Sequence, residues 1–195
     1  RECACEKDME GMNVLVTAGA TREKIDPVRF ISNHSSGKMG YALARNCMLR
    51  GANVTLVTGK TSLEPPMFVR VIPVISAGDM YEAVMDCFDE QDIVIKAAAV
   101  ADYRPKNPAD EKVKKKAGEL VIELEKTADI LKTLGERKDK QFLCGFSMET
   151  ENMLENSREK LRKKNLDMIV ANNLKAKGAG FGTDTNIVTI LTEQE

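Results

Sequence analysis

Between Val14 and Gly40 the chain reads VLVTAGATREKIDPVRFISNHSSGKMG, a run whose residue types and spacing suit a phosphate ligand. Val14-Leu15-Val16-Thr17 is apolar and β-branched, as a buried strand requires, and Gly19 breaks it. A long polar loop follows. Ser35 and Ser36 are placed to cap a helix, because their hydroxyls accept the free N–H groups of a first turn. Gly37 and Gly40 let a ligand approach the main chain closely. Lys38 adds a cation to the positive end of the helix dipole. The pattern points to a nucleotide- or phosphate-binding α/β protein. A joint whose glycines serve packing alone would leave the length and polarity of the loop unexplained.

Two familiar phosphate motifs are absent. A P-loop fails because no glycine lies five residues before Gly37, and Met39 replaces the Ser or Thr that would hold magnesium. The dinucleotide fingerprint fails because only Gly19 follows the strand directly. Other basic clusters lie further along. Lys112, Lys114, Lys115 and Lys116 read either as a solvated turn or as a flap over phosphates. Lys160 and Lys164 share one helix face; they answer the helix dipole or present two ammonium groups to a polyphosphate.

The elements that must position these groups follow a β-α-β rhythm. Strands are expected at 13–17, 53–58, 69–74, 92–99, 142–146, 168–171 and 187–191, with a further strand of a protruding arm at 120–124. Helices are expected at 36–50, 76–88, 127–137 and 150–164, with Gly51 ending the first and Ser76 capping the second. A Pro-rich turn lies at 64–66 and a Gly-rich loop at 178–182. This is the order of a doubly wound, mostly parallel sheet. Ligands of such sheets bind beyond the carboxyl ends of the strands, which gathers 18–37, 98–104, 146–150 and 171–182 into one region.

At 195 residues the chain suits one domain. A net charge of −1 gives no global field for nucleic acid. No apolar run approaches the ~18 residues of a membrane span, and Arg1 to Glu10 carries no signal-peptide pattern. Five scattered cysteines do not make a disulfide framework: Cys47, Cys87 and Cys144 read as buried hydrophobes, and Cys3-x-Cys5 lacks a second ligand pair for zinc. A reducing cytoplasm is expected. His34 is the sole histidine, so any histidine-dependent triad or metal site would have to be built around it.

The motifs VTAGATREKIDPVRFISNHSSGKMG, AAAVADYRP, EKVKK, GFSMET and KLRKKNLDMIVAN, in this order, closely resemble the bacterial phosphopantothenate–cysteine ligases, or phosphopantothenoylcysteine synthetases. The resemblance implies a Rossmann-like fold with a small β arm used in homodimerisation. It implies that 1–12 is a linker from a preceding flavin-dependent decarboxylase, with FMN serving only that absent half. The synthetase domain would be 13–195, its C-terminal end incomplete. The implied reaction joins 4′-phosphopantothenate to L-cysteine with CTP and Mg2+, through an acyl-cytidylate, releasing pyrophosphate and then CMP. The implied catalytic residues are Asn33 and Lys112. The implied nucleotide contacts are Gly37, Lys38, Gly40, Lys96, Ala97, Ala98, Asp102, Lys112, Ala128, Asp129, Ile130, Leu131, Phe146, Lys160 and Lys164. No metal ligands are assigned. Two departures stand out: Thr127-Ala128 replaces a Pro-containing pair, and Lys96 occupies a position expected to be small or apolar, so its contact is expected through the main chain.

Three rivals are distinguishable. A short-chain NAD(P) oxidoreductase would need a Tyr-x-x-x-Lys pair, and none of Tyr41, Tyr81 or Tyr103 has one. A non-catalytic nucleotide-binding regulator would not need Asn33, Asp102 and Lys112. An ATP-dependent version of the same ligase differs only in its nucleotide.

Overall fold

The apolar segment Asn13–Ala18 forms β1, buried on both faces: Leu15 enters one core cluster while Val14, Val16 and Ala18 enter another. That two-sided burial is characteristic of a central parallel strand. In chain order there follow β2 (Arg22–Lys24), β3 (Phe30–Ser32), α1 (Lys38–Leu49), β4 (Asn53–Thr58), β5 (Arg70–Pro73), α2 (Ala77–Cys87), β6 (Ile93–Lys96) and β7 (Tyr103–Pro105). The remaining elements are β8 (Leu124–Lys126), α3 (Ile130–Arg137), β9 (Phe142–Glu149), α4 (Met153–Lys163), β10 (Met168–Asn173) and β11 (Val188–Thr192). This computed structural model describes residues 5–115, 118–149, 152–173 and 185–193.

Seven strands make one sheet in the order β11-β10-β9-β6-β1-β4-β5. Every neighbouring pair is parallel except β10 with β11. The chain moves outward from β1 through β4 to β5, then crosses back to β6 on the other side of β1. The reversal point therefore lies between β1 and β6. Tyr41, Ala44 and Cys47 of α1 pack on one face. Met80 and Val84 of α2, Leu134 of α3 and Leu161 of α4 pack on the other. The expected doubly wound, mostly parallel sheet is present.

Several boundaries differ from the sequence expectation, each for a local reason. Helix α1 starts at Lys38 rather than 36, because Gly37 is its N-cap at φ 79° and no side chain caps it. The serines bond only locally: Ser35 Oγ accepts from Gly37 N at 3.4 Å and Ser36 Oγ from Lys38 N at 3.5 Å. Helix α3 starts at Ile130 rather than 127, because Asp129 caps it by accepting from Lys132 N at 3.1 Å. Helix α4 starts at Met153, after Asn152 in the left-handed region. The strand expected at 92–99 ends at Lys96, where the chain leaves the ladder. The arm strand is Leu124–Lys126 rather than 120–124. Ser76 does cap α2, in a reciprocal box with Asp79.

The polar loop holds an unexpected hairpin, β2 with β3, in which Arg22 pairs with Ser32. Buried Glu23 ties it to the body by accepting from Ala77 N at 2.9 Å. Residues 7–9, within the expected linker, pack against the end of α1: Met9 is buried, its N–H donates to Arg50 O at 3.0 Å, and Arg50 pairs with Asp8. Cys47, Cys87 and Cys144 are buried free thiols, as expected, and burial pushes the Cys144 thiol up to about 12. The Gly-rich loop at 178–182 and Cys3 lie outside the described residues. Among the described residues no helix is long and apolar enough to cross a membrane.

Candidate functional site

The main chain leaving β6 is pinned across the end of β1. Thr17 Oγ1 accepts from Ala98 N at 3.1 Å, Gly19 O from Ala99 N at 2.9 Å, and Thr21 Oγ1 from Ala101 N at 3.0 Å. Thr17 and Thr21 are fully buried, so these bonds are shielded from competing water. Ala99 O in turn accepts from Asn33 Nδ2 at 3.3 Å, which brings the β3–α1 loop to the same place. A cavity of about 1360 Å³ opens here. It stands at the reversal point of the sheet, where open α/β sheets bind their ligands.

Fifteen of the sixteen predicted site residues line this one cavity: Asn33, Gly37, Lys38, Gly40, Lys96, Ala97, Ala98, Asp102, Ala128, Asp129, Ile130, Leu131, Phe146, Lys160 and Lys164. They come from five separate parts of the chain. Ile130 and Leu131 bury their side chains in the core, so they offer a ligand mainly the main chain at the start of α3. The size suits a nucleotide together with a second, elongated substrate.

The glycines take separate duties. Gly19, at φ 77°, makes the tight exit from β1. A Cβ on Gly37 would lie 2.9 Å from Thr61 Cγ2 and 3.2 Å from Gly19 N, so only glycine fits there. A Cβ on Gly40 would lie 2.5 Å from Ala18 Cβ and 2.8 Å from Thr17 O. Gly40 therefore serves close helix–strand packing as well as lining the cavity. Gly19, Gly37 and Gly40 together reproduce the division of labour in the dinucleotide fingerprint, with the β2–β3 hairpin inserted between the first and the second. The motif is spatial, which is why the linear pattern is missing. Gly37 brings no side chain to cap α1, and Gly37 to Gly40 line the cavity, so the start of the helix can offer main-chain N–H groups to an anion.

The charges converge from three elements. Lys164 pairs with Asp129 at 2.7 Å, and Lys160 Nζ donates to Phe146 O at 3.0 Å. Burial opposes the charge on Asp129, but the Lys164 hydrogen bond and the Lys132 N–H hold its carboxyl below the usual range. Lys96, partly buried at the end of β6, has its ammonium pulled down to about 8, first by desolvation and then by Lys160 and Lys164; Asp129 and Asp102 oppose the shift. Asp102 is exposed and has no ion pair among the described residues.

Lys112 is the predicted residue that does not join the cavity; it is exposed on the segment after β7. The sequence reading overlooked what holds that segment. Buried Asp26 accepts from Val28 N and Arg29 N at 2.8 Å, from Arg29 Nε at 3.0 Å, and from Val113 N at 3.1 Å. Arg29 Nη2 donates to Val113 O at 2.8 Å, and Ala109 N to Ile25 O at 2.8 Å. The Arg29 guanidinium, with these N–H donors, holds the Asp26 carboxyl well below the usual range. Asp26 thus clasps the residue next to Lys112. The Asp-Pro-x-Arg run was a legible turn signal for it. Asn172, inside the expected region 171–182, and Asn186, outside it, also line the cavity; each presents a buried side-chain oxygen without a partner among the described residues.

Over residues 9–195 the chain matches the family described as DNA/pantothenate metabolism flavoprotein C-terminal domain. It is 56% identical over 183 residues to the coenzyme A biosynthesis bifunctional protein CoaBC of Bacillus subtilis, covering 93% of this chain and 45% of that protein. It is 52% identical over 188 residues to a cysteine/cysteine sulfinic acid decarboxylase of an unknown prokaryotic organism, covering 95% of this chain and 52% of that protein. The crystal structure of the C-terminal domain of a CoaBC protein superposes with a TM-score of 0.81 at 53% identity, covering 95% of this chain and 84% of that one. The chain spans about half the length of the curated relatives it matches. The chain therefore belongs to the family of DNA/pantothenate metabolism flavoprotein C-terminal domains.

Proposed function

We propose that the chain is a phosphopantothenate–cysteine ligase domain acting with CTP in coenzyme A synthesis, in a reducing cytoplasm. The observation that carries this is the convergence of four of the five sequence-distant motifs on one cavity that has a helix N-terminus and five lysines (Lys38, Lys96, Lys126, Lys160 and Lys164) in its lining. The carboxylate of 4′-phosphopantothenate attacks the α-phosphate of CTP and pyrophosphate leaves. The amine of L-cysteine then attacks the acyl carbon of the acyl-cytidylate, and CMP leaves as the amide forms. Such phosphoryl transfer needs positioning and charge neutralisation more than a protein nucleophile.

The first turn of α1 with Lys38, and Lys160 with Lys164, hold the phosphate chain. The small side chains of Ala97 and Ala98 let the base lie against the main chain, and Asp102 accepts from it. Asn33 Nδ2 donates to the oxygen that gains charge as the acyl group is attacked. Lys112 acts in amide formation, and its segment must move towards the cavity to do so. Magnesium is usually held by one or two carboxylates together with substrate phosphates. Asp102 lines the cavity without an ion pair among the described residues and would be the carboxylate to hold that ion, whereas Asp129 is engaged by Lys164. It would neutralise phosphate charge there.

A homodimer through the arm is part of the same reading. Leu120, Val121 and Leu124 stand exposed on or beside it, Val121 at 79%. Sedimentation showing a stable monomer at micromolar concentration would remove the dimer. A flavin-dependent decarboxylase in cis is expected to precede this domain in the full protein.

The activity is tested by pyrophosphate release with magnesium and 4′-phosphopantothenate, comparing CTP with ATP, with and without cysteine. Release that prefers CTP, with CMP and the amide appearing only with cysteine, is expected. Preference for ATP would change the nucleotide; no release with either would leave a non-catalytic binding protein.

A further inference from the structure

On β6 the apolar alternation carries Val94 into the core beneath α3 and α4, and Lys96, two residues on, projects from the same face. A lysine there needs a reason. The Lys96 ammonium has no hydrogen bond or ion pair among the described residues, while Lys164 is engaged by Asp129 and Lys160 by Phe146 O. The charged groups around it are Lys160 and Lys164 from α4 and its C-cap, Asp129 from the cap of α3, and Asp102 from the loop after β6. Three ammonium groups thus share this end of the cavity with two carboxylates. One of those carboxylates is already paired. A partly desolvated cation with no partner is costly to the empty protein and is relieved by an anion.

We propose that the Lys96 ammonium is a direct contact for the phosphate chain of the bound nucleotide, a third cation beside Lys160 and Lys164. The inference rests on the nucleotide reading above and replaces the main-chain role expected of Lys96 with a side-chain one. It has a consequence for protons. In the empty site desolvation and the neighbouring lysines hold the Lys96 ammonium at about 8, so at pH 8 about half the molecules carry a neutral amine. An adjacent polyanion favours the charged form. Nucleotide binding therefore draws a proton onto Lys96, and departure of pyrophosphate releases it again.

Calorimetric titration of CTP with magnesium at pH 8, in two buffers of different ionisation enthalpy, reads affinity and proton uptake together. The wild-type protein is expected to take up about half a proton per nucleotide. Lys96→Met, which removes the buried charge and keeps the chain length, is expected to lose that uptake and bind roughly tenfold more weakly. Lys96→Arg, protonated throughout, is expected to restore affinity without the uptake. Unchanged affinity and unchanged uptake in Lys96→Met would overturn the assignment and leave the nucleotide reading standing. Failure of the wild-type protein to bind CTP at all would overturn both.

Discussion

The cradle at the ends of β1 and β6 and the strap between β7 and β8 are held in place by opposite means. The cradle is an outgrowth of the core: its main chain is bonded to buried Thr17 and Thr21, and Gly40 is pressed on Ala18. The strap returns through a three-residue hairpin outside the main sheet, carries exposed Leu120 and Val121, and is clasped by Asp26. Rigidity follows from buried main-chain bonds and close packing, which the strap largely lacks. The proposed binding groups of the cradle are therefore fixed by the core, while Lys112 sits on a segment tied down mainly through Asp26 and Arg29 at the neighbouring Val113. In the proposed two-step reaction the first step would use the fixed site and the second would need the strap to bring Lys112 to it.

The comparison breaks most visibly at the chemistry. Lys112→Gln should lower amide formation roughly 10²-fold or more and leave pyrophosphate release measurable; equal amide yield in single-turnover assays would remove Lys112 from the mechanism. Asn33→Asp should cost a similar factor, because it replaces a donor with a carboxylate beside Ala99 O. Here the fold should be kept, as circular dichroism would report.

Next in size is the cradle's packing. Gly40→Ala forces a Cβ against Ala18 and the Thr17 main chain, and should destabilise the domain by about 2–3 kcal/mol in urea unfolding. A loss confined to the site, with unfolding unchanged, would mean that the cradle is less rigid than its contacts imply. Asp26→Asn tests the strap alone. It should slow amide formation roughly tenfold through misplacement of Lys112, abolish hydrogen-exchange protection at the Val113 N–H, and spare CTP binding. Equal damage to CTP binding would show that the two regions are not separable.

The smallest effect is a pH dependence. The folded, empty protein holds the Lys96 ammonium at about 8, against 10.5 for the unfolded chain. Between these values the unfolded state binds more protons, so the stability of the empty protein rises with pH. Below pH 8 both states are protonated and the penalty for the buried charge is fully present. Unfolding of Lys96→Met compared with wild type should therefore show its largest advantage below pH 8, shrinking by pH 10. A constant difference would place the ammonium in water.

Much of this was legible in the chain. The apolar, β-branched runs found the seven strands of the main sheet; central strands such as β1 and β4, buried on both faces, have no other composition available, and the exposed edge strands β5 and β11 keep β-branched residues. Ser76 and Gly51 marked helix ends through local bonding that needs no distant partner. Other features escaped. β2 and β3 span three residues each, too few to show a period, and are held by Glu23 reaching α2 and by their own pairing. Asp26 looked like any turn aspartate until Val113, eighty-seven positions away, proved to be its partner.

By itself the sequence determined the element order, the family motifs and the kinds of groups available, since these depend on composition and short-range spacing. Tertiary structure decided which groups meet. It split a glycine motif around an inserted hairpin, pressed Gly40 against β1, and placed the Lys96 ammonium among like charges without a partner among the described residues. Those outcomes are set by the crossover between β1 and β6 and by burial, and neither is a property of neighbouring residues.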